Sequence, residues 1–145
     1  MKPNPRTSPR GGFTLIELLL VMAILAALAA IVVPNLTGRA KDAQIQRASL
    51  DIKNIGTAIK SFQIDCSNLP AKLEDLLVQP SDVPPGKWKG PYLEQETELP
   101  KDPWGNQYKY VNPGSHNTHG FDLYSFGPDG QDGGSDDIDN WSPPK

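Results

Sequence analysis

Cysteine is almost missing from this chain: Cys66 is the only one among 145 residues. No disulfide can form within the chain, and the redox compartment cannot be read from it. In "QIDCSN" that cysteine has no adjacent base, so a buried small hydrophobe is a better reading than a nucleophile. Histidine is nearly as scarce. His116 and His119 stand three apart in "NPGSHNTHG", a Gly/Asn/Ser turn, and a tetrahedral zinc site would need further ligands from elsewhere. Exposed turn histidines are the plainer interpretation. No Gly-x-Ser-x-Gly, P-loop or Gly-x-Gly-x-x-Gly occurs, so neither a nucleophile elbow nor a phosphate cradle can be placed. Nothing suggests an enzyme. Acids are absent from residues 1–12, which carry Lys2, Arg6 and Arg10. From Phe13 onward 11 Lys and Arg face 17 Asp and Glu, a charge of −6 against −3 for the whole chain. That excess argues against a nucleic-acid partner.

What is present is one long apolar run. Residues 13–33 contain a single charge, Glu17, and as a helix they span ~31 Å, enough to cross a hydrocarbon core. A basic leader before an apolar core suggests a secretory signal, but those cores are about 7–15 residues long and end at a small-residue cut site. Here the run is longer, Pro34-Asn35 follows it, and the small pair Gly11-Gly12 precedes it. A cut at that pair removes the charges and keeps the helix. The arginines hold the leader on the cytoplasmic side.

The stretch "GGFTLIELLLVMAIL" resembles the class III signal of type IV pilins and type II secretion pseudopilins. The resemblance implies cleavage by a prepilin peptidase after Gly12 and N-methylation of Phe13, the new first residue. It also implies that Glu17, fifth in the mature chain, pairs with the amino terminus of a neighbouring subunit. A charge at bilayer depth costs several kcal/mol unless it lies near an end or finds a partner, so an acid at this place is there to be paired.

Beyond the run the pattern becomes one-sided. Pro34 is expected to bend or break a continuous helix. Ile45, Ala48, Ile52, Ile55, Ile59 and Phe62 then recur at spacings of three and four, one face of a helix. Strand-like segments follow a stripe of under three heptads, which favours packing on a small domain over a lone coiled coil. "PAKLEDLLVQP" reads as a short helix with Leu73, Leu76 and Leu77 inward. Residues 107–111 ("QYKYV") and 121–126 ("FDLYSF") alternate as strands do. The expected fold is α+β: a long N-terminal helix, half membrane-type and half amphipathic, on an antiparallel sheet of two or three strands.

The segment "FGPDGQDGGSDDIDNW" sets Asp129, Asp132, Asp136, Asp137 and Asp139 close together among glycines, and no Lys or Arg occurs between Phe121 and Pro144. Such a loop is either splayed and mobile or folded round a cation. Calcium, which takes six to eight oxygens in flexible geometry, suits it. Counted from Asp129, position 12 is Asn140, so this is not an EF-hand.

"LPKDPWGNQYKYVNPG" and "DLYSFGPDGQDGGSDDIDNW" are similar to the signature of the major-pseudopilin family of type II secretion. That resemblance implies a calcium ion held by the Phe126 carbonyl, Asp129, Asp136 and Asp137, with the Gln131 carbonyl a weaker ligand. Asp132 and Asp139 are not carried over, and Pro128 occupies a usually small position. It further implies a cleaved leader (1–12), a filament-core helix (13–34) and a soluble domain (35–145). The chain is then a single-pass inner-membrane protein with its domain in the periplasm, polymerising into a helical filament that pushes folded proteins through an outer-membrane channel. Minor pseudopilins, an inner-membrane assembly platform and the prepilin peptidase are the implied partners. The alternatives are a type IV or competence pilin, whose frequent C-terminal disulfide loop Cys66 alone cannot make, and a membrane-anchored calcium-dependent adhesin or sugar-binding module.

Overall fold

The computed structural model describes residues 12–93 and 98–143, with the backbone alone for residues 31–37. Residues 1–11, nearly all of the expected leader, lie outside them. Helix α1 (Leu15–Cys66) accounts for 52 residues. Its start is set by Thr14, whose hydroxyl accepts the Glu17 N–H at 3.3 Å while its carbonyl accepts from Glu17 and Leu18. Thr-x-x-Glu at a helix start is the capping-box pattern, with the acid also favoured by the helix dipole.

Of the bend or break expected at Pro34, the break does not occur: α1 runs on to Cys66. A proline removes one backbone bond and costs about 3 kcal/mol. In a helix this long the intact turns on both sides outweigh that local loss.

The chain forms two compact units, Met1–Ala40 and Lys41–Lys145. In the first, residues 15–30 of α1 are apolar on every side apart from Glu17, and bare. Leu15, Leu18, Val21 and Leu25 are all exposed, Leu15 at 79%. Among the described residues no helix is long and apolar enough to cross a membrane; the side chains of residues 31–33, which complete the expected span, lie outside them.

In the second unit the stripe is buried as its spacing requires. Ala48, Ile52, Ile55, Ile59 and Phe62 are buried, and Ile45 packs at the margin. They share one core with Leu73, Leu76, Tyr108, Phe121, Leu123 and Ile138. Cys66 is buried there too, in keeping with its reading as a small hydrophobe. Two tyrosines tie the helix and the chain after it to the sheet: Tyr108 donates to Asp51 (3.0 Å) and Tyr110 to the Pro70 carbonyl (2.8 Å).

The sheet has three strands, β1 (Lys109–Val111), β2 (Asp122–Ser125) and β3 (Ile138–Asp139), in the order β1-β2-β3. Both pairings are antiparallel, with Tyr110 opposite Leu123 and Ser125 opposite Ile138. Gln107 falls outside β1 and instead bridges Lys101. The short helix expected over residues 70–80 is only a 3-10 turn, Leu73–Leu76. Asp75 sets its start: its Oδ2 accepts the Ala71 and Lys72 N–H groups (2.9 and 3.1 Å). The Leu76 carbonyl then takes the Tyr92 N–H, from far along the chain.

Candidate functional site: the β2–β3 connection and the start of α1

β3 gives the acidic segment its place in the fold. Because Tyr124 and Ser125 pair with Asp139 and Ile138, residues 126–137 form a closed connection, anchored to the sheet at both ends. The metal ligands expected from the sequence all lie within it.

The entry is held by a buried carboxylate. Asp102 accepts the Ser125 hydroxyl at 2.6 Å, and that hydroxyl oxygen accepts the Gly127 N–H at 3.1 Å. The other Asp102 oxygen accepts the N–H groups of Trp104 (3.1 Å) and Asn106 (2.7 Å). The "KDPWGN" turn is therefore a clamp on the first residue of the loop. At Gly127 the backbone is left-handed (φ 66), and a Cβ would collide with the Asp136 carbonyl. Only glycine lets the two limbs of the loop approach this closely.

Inside the loop, Asp129 and Asp136 meet. Asp136 Oδ2 accepts the Asp129 N–H at 3.3 Å, and Asp129 Oδ1 accepts the Gln131 N–H at 2.9 Å. A side chain at Gly134 would run into Asp136 Oδ1 at 2.5 Å and lie 3.6 Å from Asp129 Oδ2. Asp137 is half-buried, and its Oδ2 accepts the Gly133 N–H (2.9 Å). Burial, then the nearby charges of Asp132, Asp136 and Asp129, holds its carboxyl above the usual range. Phe126 is half-buried at the head of the 3-10 turn Gly127–Asp129, and Gln131 is exposed. Asp132, outside the expected set, accepts the Tyr124 hydroxyl at 3.2 Å. Among the described residues no three His, Cys, Asp or Glu groups are grouped as a ready metal site. The donor set is all oxygen, which suits a hard cation in chemistry, and of the expected ligands Asp129 and Asp136 lie together.

His116 and His119 are both exposed in their turn, as expected of turn histidines. His116 stacks on Trp141 (centroids 4.1 Å, 6° between planes) and sets Nδ1 3.1 Å from Asp122 Oδ2. Asp122 is buried and accepts the N–H groups of Ser115, His116 and Asn117 at 2.7–2.9 Å. Burial pushes its carboxyl up, but those N–H bonds and the His116 ring outweigh it, and the net position is below the usual range. A depressed acid contributes stability that is present above its unfolded pKa, ~3.9, and is lost as pH falls through the folded value. Asp122→Asn is expected to cost roughly 1–3 kcal/mol at neutral pH. In thermal melts, the gap to the parent chain should close as pH drops below about 4; a gap constant with pH would show that the charge is not what matters.

At the other end of the chain, Gly12 and Phe13 precede α1, both exposed, and nothing within 4 Å would meet a Cβ at Gly12. Glu17 is exposed in the first turn of α1. Sequence reasoning missed Asp102 and Asp122 as anchors. Asp102 carried a local signal, an Asp before Pro-Trp-Gly, which is turn chemistry. It missed Asn140 as well, whose side chain accepts the Leu123 N–H and donates to the Phe121 carbonyl (3.0 and 3.1 Å).

A long helix, apolar and bare at its start and packed on a small antiparallel sheet at its end, is the architecture of the pilin-like class. Residues 7–33 match the prokaryotic N-terminal methylation motif. Residues 35–141 match the family described as type II secretion system (T2SS), protein G. The type II secretion system core protein G of Pseudomonas aeruginosa is 44% identical over 140 residues, covering 91% of this chain and 95% of that protein. Its counterpart in Escherichia coli is 41% identical, with 93% of each chain covered. The crystal structure of the major pseudopilin from the type 2 secretion system of enterohaemorrhagic Escherichia coli superposes with a TM-score of 0.57 at 33% identity, over 76% of this chain and 96% of that one. The chain belongs to the type II secretion system protein G family.

Proposed function

We propose that this chain is the major structural subunit of a type II secretion pseudopilus, a filament protein rather than an enzyme. The observation that carries the reading is the first part of α1: Leu15, Ile16, Leu18, Leu19 and Leu25 expose 57–79% of their surface. A helix apolar on every side is stable only inside a bilayer or among other helices. Residues 13–33 would occupy the inner membrane as a single span and, after assembly, the core of the filament, with the sheet domain in the periplasm. A prepilin peptidase would cut after Gly12 and methylate Phe13. Glu17 would pair with the amino terminus of the neighbouring subunit. Growth of the filament would push folded proteins across the outer membrane, driven by an assembly platform and minor pseudopilins that are separate chains.

The Phe126 carbonyl, Asp129, Asp136 and Asp137 would hold a calcium ion, with the Gln131 carbonyl a weaker contributor. Calcium bound there supplies the positive charge that Asp129, Asp136 and Asp137 lack in this segment. The chain's own part is to bring those oxygens together: Asp102 and Ser125 fix the entry at Gly127, and β3 fixes the exit.

Expression in a secretion-competent bacterium lacking its own major pseudopilin is expected to restore export and to give periplasmic filaments containing this chain. Filaments absent and export unrestored, with the chain present and folded, would overturn the assignment.

A further inference from the structure

Within the second unit, residues 49–60 of α1 and the turn at residues 116–121 enclose an open groove of ≈ 970 Å³. Lys53, Thr57 and Lys60 line it from the helix, at spacings that put them on one flank. His119 faces them, and Gly56 and Phe121 also line it. Gly56 is not required by the fold. An alanine there would meet Phe121 Cζ at 3.9 Å, ordinary contact, and glycine inside a helix is destabilising relative to alanine. Neither Lys53 nor Lys60 enters an ion pair among the described residues, although the chain from Phe13 onward carries −6. Asp139, Asn140 and Ser142 also line the groove, so the basic part of it is the helix flank of Lys53 and Lys60, on an acidic subunit.

A complementary patch lies just past the end of α1. Glu74, Val78 and Asp82 line a hollow of ≈ 340 Å³, with the single cation Lys72 beside them. All three are exposed, Val78 at 70%, and neither Glu74 nor Asp82 is in an ion pair among the described residues. We infer that the Lys53–Lys60 groove of one copy receives the Glu74–Val78–Asp82 patch of a second copy of this chain, the acids meeting the two lysines and Val78 lying over Gly56. The inference rests on the filament reading and deepens it. The groove sits at residues 49–60 and the patch beyond Cys66, so the contact joins different surfaces of the two copies. Such heterologous contacts do not close on themselves when displaced along an axis; they propagate as open helical assemblies.

The test is cross-linking in cells that assemble the full-length chain, with Thr57→Cys on one copy and Val78→Cys on another. Mild oxidation is expected to give a disulfide-linked dimer only when both variants are coexpressed, while the parent chain, with buried Cys66 alone, gives none. Adding Lys53→Glu and Lys60→Glu to the first copy should abolish the dimer, and Glu74→Lys with Asp82→Lys on the second should restore it. A dimer from Thr57→Cys alone, or filaments forming with no mixed dimer, would overturn the groove contact and leave the filament reading standing. Absence of filaments from the parent chain would instead overturn the filament reading, and this inference with it.

Discussion

Glu17→Ala is expected to leave the chain inserted and cleaved while filament assembly is lost. Two magnitudes separate this outcome from simple unfolding. The acid lies in the first turn of α1, where its N–H is held by Thr14, and a carboxylate there stabilises a helix by only about 0.3–1 kcal/mol. Losing it frays one turn at most. Against that, a charge within the bilayer costs several kcal/mol, so alanine should favour insertion. If the charge nevertheless serves the protein, it does so through a partner, and the neighbouring amino terminus is the cation the proposed filament supplies. Glu17→Gln, which keeps the shape and can still reach back to the cap, should fail as alanine does. Filaments from the glutamine variant would assign Glu17 to capping, and normal filaments from both would show that the acid is idle.

The second large effect is expected from calcium. A soluble fragment beginning at Asn35 should melt higher in calcium than in chelator. A ligand that binds only the folded form adds ~2.7 kcal/mol at a hundredfold excess over its dissociation constant. For a domain of about this size that is a shift on the order of 10 °C. Magnesium, which demands stricter octahedral geometry, should substitute poorly. Asp136→Ala should remove the calcium dependence, because Asp136 closes on Asp129 across the loop. Asp132→Ala should largely retain it, since that carboxylate accepts from Tyr124 instead. Melting indifferent to calcium, or equally sensitive in the Asp136 variant, would return the segment to a charged loop held by the sheet alone.

The parts of this structure legible in the sequence are those whose causes are local. The buried face of α1 was set by spacing alone, since six apolar residues three and four apart can only line one side of a helix. β1 and β2 showed as alternation, each about two residues longer than it is. β3 left no such trace: Ile138 and Asp139 make two residues of strand inside an Asp/Gly-rich segment, and their pairing is dictated by β2 and not by their own pattern. The 3-10 turn at Leu73–Leu76 read as a helix because its leucines have helical spacing. The bond that ends it comes from Tyr92, which spacing cannot reveal. In the candidate loop, the carboxylates were visible as composition, whereas the clamp through Asp102 and Ser125 joins residues 23 apart. The Thr14 cap stood in plain view as Thr-x-x-Glu, overshadowed by the acid's place in an apolar run.

The central claim is that this chain is processed into a filament subunit whose first residue is Phe13. Mass spectrometry of the chain recovered from cells that express a prepilin peptidase tests it most directly. The expected result is a product lacking residues 1–12, with a monomethylated amino group on Phe13. A chain that keeps its leader, or one cut beyond Ala26 and so deprived of Glu17 and half its apolar helix, would contradict it.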